Sequence, residues 1–286
     1  MCVPGTVEAV RASLQEPPER EPERGGLSRR AALAAGAGAM LAGALPGTAL
    51  AGGRHGGRGR GHGRTRLVDL THTFREDFPL YPGSPEASRE TARTIADDGF
   101  YGQVWRFWEH TATHMDIPAH FVEGGRTSDE ILPEELVKPI VVIDVSKRAA
   151  QDNATEVTID DVRRFERRHG RIPRNALVAM DSGWAARASD TAAFLNDGRF
   201  PGFAGETVAW LLERRAIGGI GVDTLSLDNG PSTTFAAHRT LLAADRLGIE
   251  NLANLDALPP RGATVWMGLI PWREGSGGPA RVMAAV

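Results

Sequence analysis

From His110 to His120 the chain reads His110-Thr-Ala-Thr-His114-Met-Asp116-Ile-Pro-Ala-His120, three imidazoles and a carboxylate within eleven residues. No other segment restricts the backbone as strongly. On a helix His110 and His114 would share a face, but Asp116, six residues past His110, would point about 240° around the axis. One helix cannot gather all three side chains. The aromatic and β-branched run Val104-Trp105-Arg106-Phe107-Trp108 reads as a strand, and Pro118 opposes helix continuation. The spacing therefore predicts a strand near 104–109 that delivers His110, then a tight loop that curls His114 and Asp116 back toward it.

These residue types hold divalent cations such as zinc or manganese. His120 is a fourth candidate, either as another ligand or as a proton-transfer group. A histidine-rich surface loop is the plainer alternative. With only 8 histidines in 286 residues, three of them inside eleven positions favour a metal site.

The segment resembles the signature of the metal-dependent cyclase-like hydrolases, which include bacterial kynurenine formamidases and isatin hydrolases. Here it stands as HTATHMDIPAHF, with Ala112 where the family usually has glycine. That replacement matters if the position needs a positive φ or a close backbone approach. The resemblance continues in family order from about Leu67: Leu67-Val-Asp-Leu-Thr-His72, Leu80-Tyr-Pro-Gly83, Asp181-Ser-Gly-Trp184, Pro201-Gly202, the stretch from Gly221 to Asp228, His238 with Glu250, and Pro279 to Ala285.

The resemblance implies His110, His114 and Asp116 as metal ligands, His238 and Glu250 as further ligands, and His120 as the catalytic acid/base. It implies an α/β fold, a single domain around a barrel-like mixed β-sheet flanked by helices, assembled as a homodimer or homotetramer. Read alone, His238 is a helix-terminal residue with an ordinary hydrogen bond and Glu250 a solvated carboxylate. On one straight helix the two would stand roughly 18 Å apart, so a shared metal requires the chain to reverse between them. His238 to Leu247 has helical apolar spacing, and Gly248 reads as its C-terminal stop.

A divalent cation lowers the pKa of bound water toward about 7 and polarises an amide carbonyl. His120, with an ordinary pKa near about 6.5, is suited to move the proton. The expected activity is metal-dependent hydrolysis of a small amide, cyclic amide or lactone, with an aromatic substrate of arylformamide or isatin type. Tyr81 and Trp184, flanked by turn residues, are the aromatic side chains expected to touch it, whereas Trp105 and Phe107 share a strand face and read as packing. The alternative is a non-catalytic exported protein that binds a metal or small ligand on the same fold.

Charge excludes one class of partner. Residues 54–66 hold five arginines and no acid, and from Leu67 onward 23 basic groups face 31 acidic ones, a net charge of −8 with no surplus for nucleic acid. Residues 1–51 read as a twin-arginine-type export signal: Ser28-Arg29-Arg30 precedes an Ala/Gly/Leu run that ends in Ala49-Leu50-Ala51. Pro46 and low hydrophobicity argue against a stable membrane anchor. Export would place the mature protein in the periplasm or outside the cell, which weighs against a kynurenine formamidase role. Residues 52–66 read as a Gly/Arg-rich linker whose His55 and His62 lack a rigid scaffold. Cys2 lies in the leader, so no thiolate ligand or cysteine nucleophile is expected.

The hydrolase-like domain spans 67–286. Strands are expected near 67–70, 104–109, 139–145, 176–181, 217–222, 263–270 and 280–285, with helices near 158–169, 205–215 and 238–247. About 220 residues, in a chain of 41% hydrophobic and 24% charged composition, suffice for one sizeable core.

Overall fold

The structure, a computed structural model, describes residues 65–286. The leader expected at 1–51 and nearly all of the linker expected at 52–66 lie outside the described residues. The strands are β1 (Leu67–Asp69), β2 (Ser88–Arg93), β3 (Gly102–Arg106), β4 (His114–Asp116), β5 (Val137–Asp144), β6 (Glu156–Val157), β7 (Leu177–Asp181), β8 (Gly202–Phe203), β9 (Gly219–Val222), β10 (Leu247–Glu250), β11 (Arg261–Leu269) and β12 (Gly277–Ala285). The helices are α1 (Ile95–Asp98), α2 (Ser146–Ala149), α3 (Ile159–His169), α4 (Thr191–Leu195), α5 (Gly205–Arg215) and α6 (Ala236–Ala243).

Seven strands close into a barrel in the order β12-β11-β5-β7-β9-β10-β4, with β4 returning to pair with β12. Closure leaves the ring without a free edge. The sheet is mixed: β5, β7, β9 and β10 run parallel, and the remaining ring pairings are antiparallel. β1 joins as an eighth strand, pairing Asp69 with Met283 on the same edge of β12 where Pro279 pairs with His114.

β5 shows why the ring forms. Ile140 and Val142 enter the barrel with Leu177, Ile249, Val265 and Val282, while Val141 and Ile143 pack outward with Val162, Phe165, Val208 and Leu211 of α3 and α5. Both strand faces are buried, so the sequence reads as an apolar run without alternation. Each such side chain contributes roughly 1.5–3 kcal/mol by leaving water. Thr158 starts α3 by accepting from Asp161 N, and Asp161 accepts in return from Thr158 N. Arg167, Arg168 and His169 sit in its last turn, where the helix dipole favours cations.

Two local expectations are corrected. β3 stops at Arg106 and pairs with β2 in a separate two-stranded sheet, so no strand carries His110. His114 and Asp116 instead lie on a strand, and His110 on the loop before it. β4 has three residues and takes its backbone partners from β10 and β12 on either side, so nothing local in its sequence marks it as a strand. α6 is the second case. It runs from Ala236 to Ala243, two residues earlier at its start and four shorter at its end than expected, and Asp245 with φ 57° makes the reversal. Among the described residues no helix is long and apolar enough to cross a membrane.

Candidate metal centre

Successive side chains of a strand leave opposite faces, so His114 and Asp116 project together while Met115 enters the barrel core. β10 lies antiparallel to β4 with Glu250 opposite His114, which places His114 Nε2 3.3 Å from Glu250 Oε2. Asp116 faces a glycine on each side, Gly248 in β10 and Gly277 in β12. A Cβ on Gly248 would stand 3.3 Å from Asp116 Oδ2, and one on Gly277 only 2.8 Å from His110 Cε1. Those two missing side chains leave room for the carboxylate and for the His110 ring beside it. Gly248 is thus a strand residue that clears the site, in correction of its expected role as a helix stop.

The short α6 and the turn after it close the separation between His238 and Glu250. His238 Nε2 lies 3.0 Å from Glu250 Oε1 and 3.4 Å from Asp116 Oδ2. His110 Nδ1 is 2.8 Å from Asp116 Oδ1, and His114 Nε2 is 3.4 Å from the same oxygen. The other four residues expected as ligands therefore gather around Asp116, Glu250 through its contacts with His114 and His238.

Each imidazole is pinned from outside. His114 Nδ1 donates to Ala112 O at 2.8 Å, and that carbonyl also accepts from Asn251 Nδ2 at 2.8 Å. Ala112 has φ 56°, the left-handed conformation that glycine adopts without strain, so the alanine in place of the family's usual glycine does stand at a positive φ. His238 Nδ1 meets Asp228 Oδ2 at 2.7 Å, and the same carboxylate accepts from the Ala237 and His238 backbone N–H groups at the start of α6. Phe121 stacks on His238 with centroids 4.8 Å apart.

The centre is strongly anionic at its heart. Burial opposes charge on Asp116, but the His110, His114 and His238 rings hold its carboxyl well below the usual range. Burial would lower His114, yet Asp116 and Glu250 push it up to about 10. His238 is likewise raised by Asp116, Asp228 and Glu250 against burial. Two buried carboxylates sharing one cluster require positive charge among them.

A cation fits these residues. His114 Nε2 and Asp116 Oδ2 are buried without a hydrogen-bond partner. Ligand atoms of His114, Asp116 and Glu250 lie within 4.8 Å of one another, as do those of His110, Asp116 and His120. Donors about 2.0–2.2 Å from one cation stand about 3–3.5 Å apart, and the separations observed here are 2.8–3.4 Å. The donor set is imidazole and carboxylate, which suits zinc and manganese alike.

His120 differs from its neighbours. It stacks on His110 at 3.8 Å between centroids, carries no side-chain hydrogen bond among the described residues, and is pushed down to about 4, chiefly by burial. Its ring lines a cavity of about 220 Å³, smaller than the roughly 300–1,000 Å³ of drug-sized pockets. Tyr81 lines that cavity, together with Trp108, Phe121, Leu225 and Phe235. Trp184 does not. It is 1% exposed, packs with Phe194 and Phe200, and satisfies its indole by donating to Phe194 O at 2.9 Å. The turn at Gly183 that made Trp184 look accessible points its ring inward instead. Trp105 and Phe107, expected as packing, meet Phe74 edge-on.

Sequence reasoning missed Asp228, Gly248, Gly277, Phe121 and Phe235 as parts of this centre. Asp228 had a signal, its place ten residues before His238. The glycines had none until strand register was known.

A closed mixed barrel carrying a histidine–carboxylate cleft on its outer side defines a class that the comparisons specify. The Cyclase family model matches residues 68–229, and the chain belongs to that family. It is 31% identical over 245 residues to the isatin hydrolase of Roseibium aggregatum, covering 78% of this chain and 93% of that protein. The kynurenine formamidase of Erythrobacter litoralis is 27% identical over 196 residues, 68% of this chain and 82% of that one. An isatin hydrolase structure bound to the product analogue thioisatinate matches with a TM-score of 0.74 and 30% identity, covering 78% of this chain and 92% of the other. A protein described as a potential metal-dependent hydrolase with cyclase activity matches at a TM-score of 0.61 and 23% identity over 77% of this chain and 98% of that chain, a likeness of fold alone.

Proposed function

We propose that this protein is a metal-dependent hydrolase that opens a small amide, cyclic amide or lactone bond, with aromatic arylformamide-like or isatin-like substrates preferred. The observation that carries the reading is the gathering of His110, His114, Asp116, His238 and Glu250 around one point, with an unbonded His120 beside a small aromatic-lined cavity. The names of the relatives support the bond type.

Those five residues would hold zinc or manganese. When bound, the cation supplies a lower pKa for water and a polarised substrate carbonyl. Asp116 and Glu250 would neutralise its charge, while Ala112 O and Asp228 hold the outer nitrogens of His114 and His238 and so keep their Nε2 atoms on the side of the carboxylates that would bind it. His120 is neutral because it is buried without a hydrogen-bonded carboxylate, so its lone pair takes the proton of the attacking water. It then returns that proton to the leaving nitrogen or oxygen. Water adds across the acyl bond and leaves a carboxylate and an amine or alcohol. Tyr81, Trp108 and Phe235 offer flat apolar walls to an aromatic ring and exclude water from it.

The test is hydrolysis of N-formylkynurenine, isatin and simple lactones by protein loaded with zinc or manganese, with bound metal counted by elemental analysis. Turnover of at least one substrate, abolished by chelation, is the expected result. A stoichiometrically loaded protein that opens none of them would remove the substrate assignment. We further propose export through a twin-arginine-type leader over 1–51, a linker at 52–66, and a homodimer or homotetramer of the 67–286 domain. Fractionation of cells expressing the full chain and light scattering of the mature protein test these points.

A further inference from the structure

His110 is oriented opposite to its partners. His114 and His238 turn Nδ1 outward and Nε2 toward the carboxylates, whereas His110 turns Nδ1 toward Asp116 Oδ1 at 2.8 Å and Nε2 outward. Its outer nitrogen meets Ser276 Oγ at 3.0 Å. Ser276 in turn donates twice to one oxygen, its hydroxyl to Glu109 Oε2 at 2.6 Å and its backbone N–H to the same atom at 3.1 Å. We propose that Glu109 and Ser276 form a relay that keeps the proton of His110 on Nε2 and so reserves Nδ1 for the cation, making both of them positioning residues.

The protons can be followed. A carboxylate oxygen that accepts a backbone N–H acts as an acceptor, so the hydroxyl proton of Ser276 is committed to Glu109. The lone pairs of Ser276 Oγ then face His110 Nε2, which must be the protonated nitrogen. His110 Nδ1 is then the nitrogen left for Asp116 Oδ1: without a cation a proton bridges the two at 2.8 Å, and a cation would take that proton's place. His114 and His238 need no such relay, because a backbone carbonyl and Asp228 accept their outer N–H directly. His110 sits on a loop and Ser276 on the segment before β12, so the relay ties together two segments 166 residues apart. Partners of this kind, one step removed from the metal, are worth about 10–100-fold in metal affinity. The inference rests on the metal reading of the centre given above.

The test uses the full chain stripped of metal, then titrated with zinc or manganese against a competing chelator. Ser276→Ala and Glu109→Ala are expected to weaken binding by about 10–100-fold, and Ser276→Thr, which keeps the hydroxyl, to restore it. Nitrogen-15 NMR of His110 in the metal-free protein is expected to show a proton on Nε2 in the wild type and a bare Nε2 in Glu109→Ala, which frees the Ser276 hydroxyl to donate to His110. Melting curves of the metal-free variants check that they fold, Ser276→Ala serves if Glu109→Ala does not, and Glu109→Gln, whose carbonyl oxygen can accept both Ser276 hydrogens, is expected to keep the wild-type affinity. A bare Nε2 in the wild type, or a Ser276→Ala protein whose affinity stays within twofold, would overturn the proposal. Neither readout uses turnover, so a failed substrate screen and a failed relay are told apart.

Discussion

Asp116 and Asp223 are both buried carboxylates, one closing β4 and the other just past β9, and their surroundings drive them in opposite directions. Asp116 meets three imidazoles and is held ionised. Asp223 meets only neutral donors, the Ser182 N–H and hydroxyl and the Trp184 N–H, and burial pushes it up to about 6, with Asp181 adding to the rise. The imidazoles divide in the same way: His114, with two carboxylates, rises to about 10, while His120, hydrogen-bonded to neither, falls to about 4. Burial alone favours the neutral form, and only a partner of opposite charge reverses it. The centre therefore separates charged residues that would seat a cation from a neutral histidine free to move a proton.

The most drastic way to break this contrast is Asp116→Asn, which removes the shared anion. Bound metal is expected to fall from stoichiometric to near zero and turnover to vanish with it, as elemental analysis and assay would show. Retained metal in this variant would contradict the convergence on Asp116. Next comes His120→Asn, expected to lower kcat by about 10²–10⁴ while leaving metal content unchanged. Loss of metal together with rate would make His120 a ligand instead, and unchanged function would favour a non-catalytic binding protein.

A pH experiment sharpens the Asp223 side. Its folded pKa of about 6 lies above the ordinary carboxylate value, so its contribution to stability is full below about pH 4 and lost as pH rises through 6. The stability of the wild type relative to Asp223→Asn should fall by about 3 kcal/mol between pH 4 and pH 7, measured by denaturant titration. A difference independent of pH would show that Asp223 does not titrate in this window. The smallest effect concerns the backbone that pins His114. Relief of the positive φ at Ala112 is offset by lost methyl burial and a freer unfolded chain, so Ala112→Gly should change stability by less than about 1 kcal/mol. Ala112→Val, β-branched at a φ of 56°, should cost about 1–3 kcal/mol. Thermal melts that rank the two alike would argue that the strain at 112 is unimportant.

Much of the architecture was legible because it follows from short-range patterns. The long apolar runs of β5 and β7 and the capped, amphipathic α3 were placed to within a few residues, since periodicity and end signals act along the chain. β4, β6 and β8 were not, being two or three residues long and held by partners distant in sequence. The same limit misled the readings of Gly248 and Trp184. A glycine after a helical stretch looks like a stop, and an indole beside a turn looks accessible, until strand pairing or core packing assigns the space around them.

By itself the sequence determined which groups could meet: the ligand types at 110, 114 and 116, and the need for a reversal before Glu250 if it shares a metal with His238. The tertiary structure alone decided which of them do meet, and from which side. Register between β4 and β10 sets Glu250 against His114, and the glycines flanking Asp116 admit His110 with its Nδ1 inward. That division has a physical cause. Chemical identity and local conformational preference belong to each residue, whereas distance, burial and the protonation they impose arise only when segments far apart in the chain pack together.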